Sequence, residues 1–311
     1  MDLLDEMRGL ITRHTADGLR RRIADGVTIA SADRPTSPVG TFSSPSLAIV
    51  AQGVKRTVLN GVPYDYRAGQ YLVVSVDLPV IGQALEASPD KPFVVFSMSL
   101  RPADIAPLLL EASAAGKPPA FTGMAVSDAS PELLDPVVRL LRLADRPDDL
   151  RVLAPGYQRE ILWWLINGDQ GALVRQIGLV DGNLAHISRG IRWIREHYRE
   201  QLTVTDLAEL CGMSASSFHR HFRAATSMTP VQFQKQIRLQ TARTLLMTRS
   251  GNVAEIGYFV GYESPSQFSR EYRKVFGASP GRDAAQLSAM GQDGHDGQDV
   301  ARPRELVDEP A

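Results

Sequence analysis

The chain has 311 residues, of which 43% are apolar, enough for two domains with ordinary globular cores. The formal charge of -1 hides a division: residues 188–288 carry 14 Lys and Arg against 8 Asp and Glu, residues 1–187 carry 18 against 21, and residues 289–311 carry 2 against 6. A basic module on a slightly acidic one points to an anionic partner for the C-terminal part alone, and the single cysteine excludes an internal disulfide.

In chain order, residues 1–24 read as a helix with Leu3, Leu4, Met7, Leu10 and Ile11 on one face, ending in the basic cluster Arg20, Arg21 and Arg22. Its start lacks an apolar core, so no signal peptide is expected, and the run ILWWLI at 161–166 is too short to span a bilayer. From Val27 to Leu100 the period becomes that of strands: VTIAS, SLAIVAQG, KRTVLNG, VPYDYRAG, QYLVVSVDLPV, IGQALEAS and PFVVFSMSL, separated by turn residues. Such a succession predicts a small antiparallel barrel or sandwich. Helices follow at Ala103–Ala115, Pro131–Ala144 and Gly156–Asn167, with a loop containing GKPPAFTG between the first two, and then a short helix and the link DGN.

None of the six histidines lies between Val27 and Leu100, and the cysteine does not either, so the expectation is a barrel with no bound metal and no cofactor. Asp65, Asp77, Glu86 and Asp90 sit at turns or strand ends, where solvation is the ordinary role, and Arg56, Tyr64, Tyr66 and Arg67 are candidates either to line a pocket or to pack. No catalytic residue is assigned: there is no nucleophile and base pair, no phosphate loop and no zinc spacing.

The stretch from Thr203 to Arg282 says nearly the same thing twice. Val204, Leu207, Ala208 and Gly212 recur as Val253, Ile256, Gly257 and Gly261; after one extra residue, Phe218, Arg220, Phe222, Arg223 and Pro230 recur as Phe268, Arg270, Tyr272, Arg273 and Pro280. Each copy reads as a helix-turn-helix. Thr203 with Asp206, and Asn252 with Glu255, are the expected cap pairs of the first helices; Gly212 and Gly261 provide the reversals; Ser214, and Glu263 or Ser264, open the second helices. Phe218 and Phe222 in one, and Phe268, Tyr272 and Phe276 in the other, form inward rows. That leaves Ser216, Ser217, His219, Arg220 and Arg223 in the first, and Ser266, Gln267, Ser269, Arg270, Arg273 and Lys274 in the second, facing solvent. Short hydroxyls, Gln and Arg read base edges and grip phosphates in the major groove. His219 and His221, two apart on a helix, point in different directions and share no ion. Cys211, among apolar residues, reads as a packed small hydrophobe.

The segments GMSASSFHRHF and VGYESPSQFSREYRKVFGASP resemble the DNA-binding domain of the AraC/XylS family of bacterial transcriptional regulators, over about residues 188–286. The resemblance implies two helix-turn-helix units joined by a long helix, with recognition helices in successive major grooves of double-stranded DNA. Carried over by position, it nominates Ser216, His219 and Arg220 in the first unit and Pro265, Ser266, Gln267 and Arg270 in the second as base readers. The chain departs from the family pattern at Pro265, at Gly257 in place of Ala, and at Pro280, Gly281, Arg282, Asp283, which lacks the aromatic of the usual Pro-x-x-Tyr-Arg ending. The stretch PSLAIVAQGVKRTVLNGVPYDYRAGQYLVVSVDLPV is similar to the cupin-like N-terminal domain of one branch of that family, over about residues 23–180, a domain that implies a small-molecule effector and a homodimer.

The expected fold is therefore α+β: an N-terminal cupin-like antiparallel β-barrel with helices over 23–180, an all-α domain of two helix-turn-helix units over 188–286, and a disordered tail over 288–311, rich in Gly and Asp. The expected function is a cytoplasmic, nucleoid-associated transcriptional regulator that binds double-stranded DNA as a homodimer, touches no membrane and works with RNA polymerase. The rivals are a metal-free, isomerase-like barrel enzyme fused to a DNA-binding domain and a ligand-independent DNA-binding protein.

Overall fold

The computed structural model describes residues 2–15, 20–111, 122–179, 182–248 and 252–285. The expected tail, most of the GKPPAFTG loop and the start of the DGN link lie outside them.

Helix α1 (Leu3–His14) is followed by strands β1 (Arg21–Ala24), β2 (Val27–Ala32), β3 (Val39–Ser43), β4 (Ser46–Gln52), β5 (Val54–Leu59), β6 (Val62–Arg67), β7 (Gln70–Val74), β8 (Leu78–Glu86) and β9 (Phe93–Ser99). Helix α2 (Pro102–Glu111), strand β10 (Met124–Asp128), helices α3 (Pro131–Arg142), α4 (Pro147–Asn167) and α5 (Gly171–Gly178) complete the N-terminal part. The strands form two antiparallel sheets, one in the order β1-β2-β9-β4-β7-β10 and one in the order β3-β8-β5-β6. The apolar strands take the central places. Phe93, Val94, Val95 and Phe96 of β9 are all buried, in a strand that lies between β2 and β4 and packs against α1. The β5–β6 hairpin pairs Leu59 with Val62 across Asn60 and Gly61, both at positive φ (49° and 81°), as a two-residue turn between right-twisted strands requires.

The differences from expectation fall at the sheet edges, at one strand boundary and at the ends of two helices. The first helix stops at His14 rather than running to residue 24, and Thr15 turns inward, bonding the Ile11 carbonyl (2.9 Å) and the Ser31 hydroxyl (2.8 Å). The basic cluster instead opens strand β1, an exposed edge where arginine blunts open pairing. β3 and β10, also edge strands, carry too little alternation to read from sequence and form by pairing with β8 and β7. The single run QYLVVSVDLPV is two strands in different sheets. Helix α4 begins at Pro147, well before Gly156, because Pro155 lies on the exposed side, next to the exposed Arg151 whose carbonyl a proline cannot serve.

Tyr66 packs in the barrel core, 1% exposed. Asp65 is held by Arg56 through two bonds of 2.7 and 2.6 Å across the β5–β6 ladder, and these hold its carboxyl below the usual range. Asp77 is not simply solvated: it pairs with Arg195 of the C-terminal part.

That part comprises α6 (Asn183–Glu196), α7 (Val204–Leu210), α8 (Ala215–Thr226), α9 (Pro230–Thr248), α10 (Val253–Phe259) and α11 (Pro265–Phe276). The second sheet meets it along β8 and α9. Besides the Arg195–Asp77 pair, Asn60 Nδ2 donates to the Ser227 carbonyl at the end of α8 (2.8 Å), and Arg243 Nη1 donates to the Pro38 carbonyl (3.3 Å). Gly123 stands so near α8 that a Cβ there would lie 1.9 Å from the Ala225 carbonyl oxygen. Among the described residues no helix is long and apolar enough to cross a membrane.

Candidate nucleic-acid interface

The two helix-turn-helix units close by the same bonds. In the first, Gly212 N donates to the Glu209 carbonyl and Met213 N to the Ala208 carbonyl (2.8 Å each); in the second, Gly261 N donates to Tyr258 and Tyr262 N to Gly257 (3.0 Å each). Gly212 and Gly261 have φ of 64° and 94°, the region where a side chain is strained, so the expected reversals are in place. Ser214 Oγ accepts from Ser217 N, and Ser264 Oγ from Gln267 N, so α8 and α11 both carry the expected N-caps; Pro265 is the first residue of α11, where its missing N–H leaves no bond unmade. Asn252 caps α10 by accepting from Ala254 N. Thr203 precedes α7 in the cap position, but its side chain makes no capping bond, which corrects the expected Thr203–Asp206 box.

The inward rows orient the rest. Phe218 lies 5.4 Å from Phe222, which meets Phe233 of α9 edge-on at 5.4 Å; Phe268, Tyr272 and Phe276 form the matching row at 5.6 and 4.6 Å. Phe276 is only partly buried. Close packing also accounts for Gly257: a methyl there would stand 3.0 Å from the Phe268 ring. Cys211 is buried, burial pushes its thiol up, and its carbonyl accepts from His186 Nδ1 at 2.7 Å, so it packs as expected.

With the aromatics turned inward, Ser216, His219, Arg220 and Arg223 of α8 are exposed and Ser217 is half-buried; on α11, Ser266, Gln267, Arg270, Arg273 and Lys274 are exposed and Ser269 is half-buried. Gln267 is tied along its own helix to Glu271 (3.4 Å). Among the described residues, no ion pair engages Arg220, Arg223, Arg270, Arg273 or Lys274, whereas Arg195, Lys235 and Arg243, behind the faces, are each paired with a carboxylate. Two faces thus present short polar groups and cations that no ion pair among the described residues engages. His221, on the flank, has its pKa lowered by burial and then by Arg220. No group of three His, Cys, Asp or Glu among the described residues is placed to hold a metal ion.

What sequence reading did not single out lies behind the faces. Glu271 is partly buried, which opposes its ionisation, but bonds from Lys235, Tyr262 and Gln267 outweigh burial and hold its carboxyl below the usual range. Asp283, where the family has an aromatic, is 5% exposed and accepts from the Tyr272 hydroxyl (2.7 Å) and from Arg243 Nε (2.9 Å) and Nη2 (3.2 Å). The one available signal was the departure itself.

Comparison with known proteins matches residues 24–173 to the AraC-type transcriptional regulator N-terminus and residues 207–286 to a helix-turn-helix domain. The chain is 31% identical over 160 residues to the HTH-type transcriptional activator RhaS of Salmonella schwarzengrund (strain CVM19633), and 32% identical over 161 residues to that of Salmonella agona (strain SL483). Each match covers 49% of this chain and 56% of the relative, so the chain spans about half the length of the curated relatives it matches. By structure it is similar to ToxT from Vibrio cholerae strain SCE256, solved with an unsaturated fatty acid bound, at a TM-score of 0.52 and 10% identity over 86% of this chain and 98% of that one, a likeness of fold.

Proposed function

The chain belongs to the AraC family of transcriptional regulators, and from that premise we propose that it binds DNA sequence-specifically through α8 and α11 under control of a small-molecule effector acting on the N-terminal domain. The proposed domain boundaries are 23–180 and 188–286. The carrying observation is the pair of capped helices whose exposed faces hold Arg220, Arg223, Arg270, Arg273 and Lys274 in no ion pair among the described residues. Ser216, His219, Arg220, Pro265, Ser266, Gln267 and Arg270 read bases in this proposal, Ser217 lies on the same DNA-binding face, and Arg223, Arg273 and Lys274 grip phosphates. The chain acts in the cytoplasm, on the nucleoid, and regulates transcription with RNA polymerase rather than catalysing a reaction. Its proposed partner is a second copy, supported by the exposed apolar side chains Val152, Leu153 and Trp164 of α4 and Leu110 of α2.

The test is selection of genomic fragments with the purified full chain. Enrichment of a two-part motif is expected, its halves about one turn of DNA, roughly 10 base pairs, apart. Arg220→Ala then relaxes preference in one half and Arg270→Ala in the other, each by roughly 1–3 kcal/mol if the arginine contacts a guanine bidentately. A motif unchanged in both variants removes these helices as readers.

Effector control is supported by the bonds from Asn60 and Asp77 of the barrel to the end of α8 and to α6. A ligand alters DNA occupancy only through different affinity for two arrangements of these parts. The ToxT neighbour makes an unsaturated fatty acid the first probe. A shift in affinity for the selected fragment is expected, and an unchanged affinity at saturating probe removes that class of effector.

A further inference from the structure

Two reading helices recognise a composite site only as well as their separation is held, and that separation has an evident mechanical cause here. The first unit ends α6 in the loop of Tyr198, Arg199 and Glu200; the second contributes the turn at Gly261, just before the Ser264 cap of α11. Arg238, in the middle of α9, bonds both. Its Nε donates to the Tyr198 carbonyl (2.6 Å), its Nη2 to the Glu200 carbonyl (2.9 Å) and its Nη1 to the Gly261 carbonyl (2.7 Å). Gln234, one helical turn earlier, donates to the same Glu200 carbonyl (2.8 Å). Arg199 lies over the Phe259 ring of α10 at 3.9 Å, and a Cβ on Gly261 would stand 2.6 Å from the Arg199 carbonyl oxygen. The two units therefore touch backbone to backbone, with one guanidinium spanning the junction.

The corresponding turn of the first unit is different. A Cβ at Gly212 would meet nothing within 4 Å, so that turn is open where Gly261 is enclosed. The internal symmetry of the sequence is broken at the position where the second unit is fastened to the first. Only arginine suits the fastening: a planar guanidinium fans its N–H groups toward three carbonyls at fixed angles, and a lysine ammonium at the end of a flexible stem does not reproduce that fork.

We propose that Arg238 is a positioning residue that sets the spacing between the two halves of the DNA site, and so determines specificity without touching a base. This rests on α8 and α11 being the two DNA-reading helices. Inserting one base pair between the halves moves the second by about 3.4 Å and turns it by about a tenth of a helical turn, which a rigid pair of readers cannot follow and a loosely tethered pair can.

The experiment takes the motif selected by the full chain and measures affinity for duplexes with zero, one or two base pairs inserted between its halves. The wild-type chain is expected to lose roughly tenfold or more per insertion, and Arg238→Ala and Arg238→Lys to lose only about two- to threefold, with base preference inside each half unchanged. A thermal melt establishes which variants are folded, and the lysine variant carries the test if the alanine variant is not. A wild-type chain that selects no two-part motif overturns the DNA reading beneath the proposal. A motif that is selected, with an insertion penalty as steep in the folded variant as in the wild type, overturns the spacing role alone.

Discussion

Raising salt from about 50 to about 200 mM is expected to weaken binding of the full chain to its selected duplex by roughly 40-fold, the fall that follows when about three phosphates are neutralised and their counterions released. The phosphate-gripping cations are Arg223, Arg273 and Lys274, exposed on two faces and engaged by no carboxylate among the described residues. Each phosphate-gripping cation removed should flatten the plot of log affinity against log salt by about 1, so Arg223→Ala and Lys274→Ala should weaken all sequences alike. The net charge of -1 makes the outcome a sharp discriminator, since the chain as a whole has no excess of positive charge to attract DNA. Affinity that holds across that range would show that the two faces do not meet phosphates.

Asp283→Ala is expected to cost about 3–5 kcal/mol of stability, the range for breaking a buried ion pair by removing one partner. The side chains of Asp283 and Arg243 are 7% and 16% exposed, and the Tyr272 hydroxyl completes the cluster. Burial first, and then Asp283, pushes the Tyr272 phenol far above its usual range, so it remains a donor at every physiological pH. The alanine variant strands a guanidinium and a phenol together. Replacing Arg243 by Met in the same chain should recover much of the loss, because an apolar pair needs no compensation. Urea denaturation of the single and double variants measures both, and a single-variant loss below about 1 kcal/mol would show that the cluster behaves as a solvated surface pair.

These two predictions draw on different levels of the molecule. The cations on α8 and α11 are visible in the chain itself: aromatic residues four apart specify the inward row, and what remains faces out. The duplication, the glycine reversals and the serine caps are local as well, since each depends on residues within one or two helical turns. Much of the sheet was legible for the same reason. β2, β4, β5, β6 and β9 hold enough apolar or alternating residues to declare themselves, and Asn60-Gly61 declares its hairpin.

Tertiary structure alone decided what depends on partners distant in sequence. Strands β1, β3 and β10 lie at sheet edges, where one side of the backbone lacks a neighbour and half or more of the side chains meet water, so composition hardly distinguishes them from loops. Asp77 reads as a solvated turn carboxylate until Arg195, 118 residues away, reaches it. Asp283 reads as a gap in the family pattern until Arg243 and Tyr272 enclose it. Arg238 reads as one more cation on a long helix, yet its three acceptors are backbone carbonyls, and a carbonyl carries no trace of its position in the sequence. The sequence by itself determined the two exposed polar faces of α8 and α11, because helical periodicity is a property of neighbours along the chain. How those faces are spaced, and how the barrel touches them, was decided only when distant backbone and side-chain groups came within hydrogen-bonding distance.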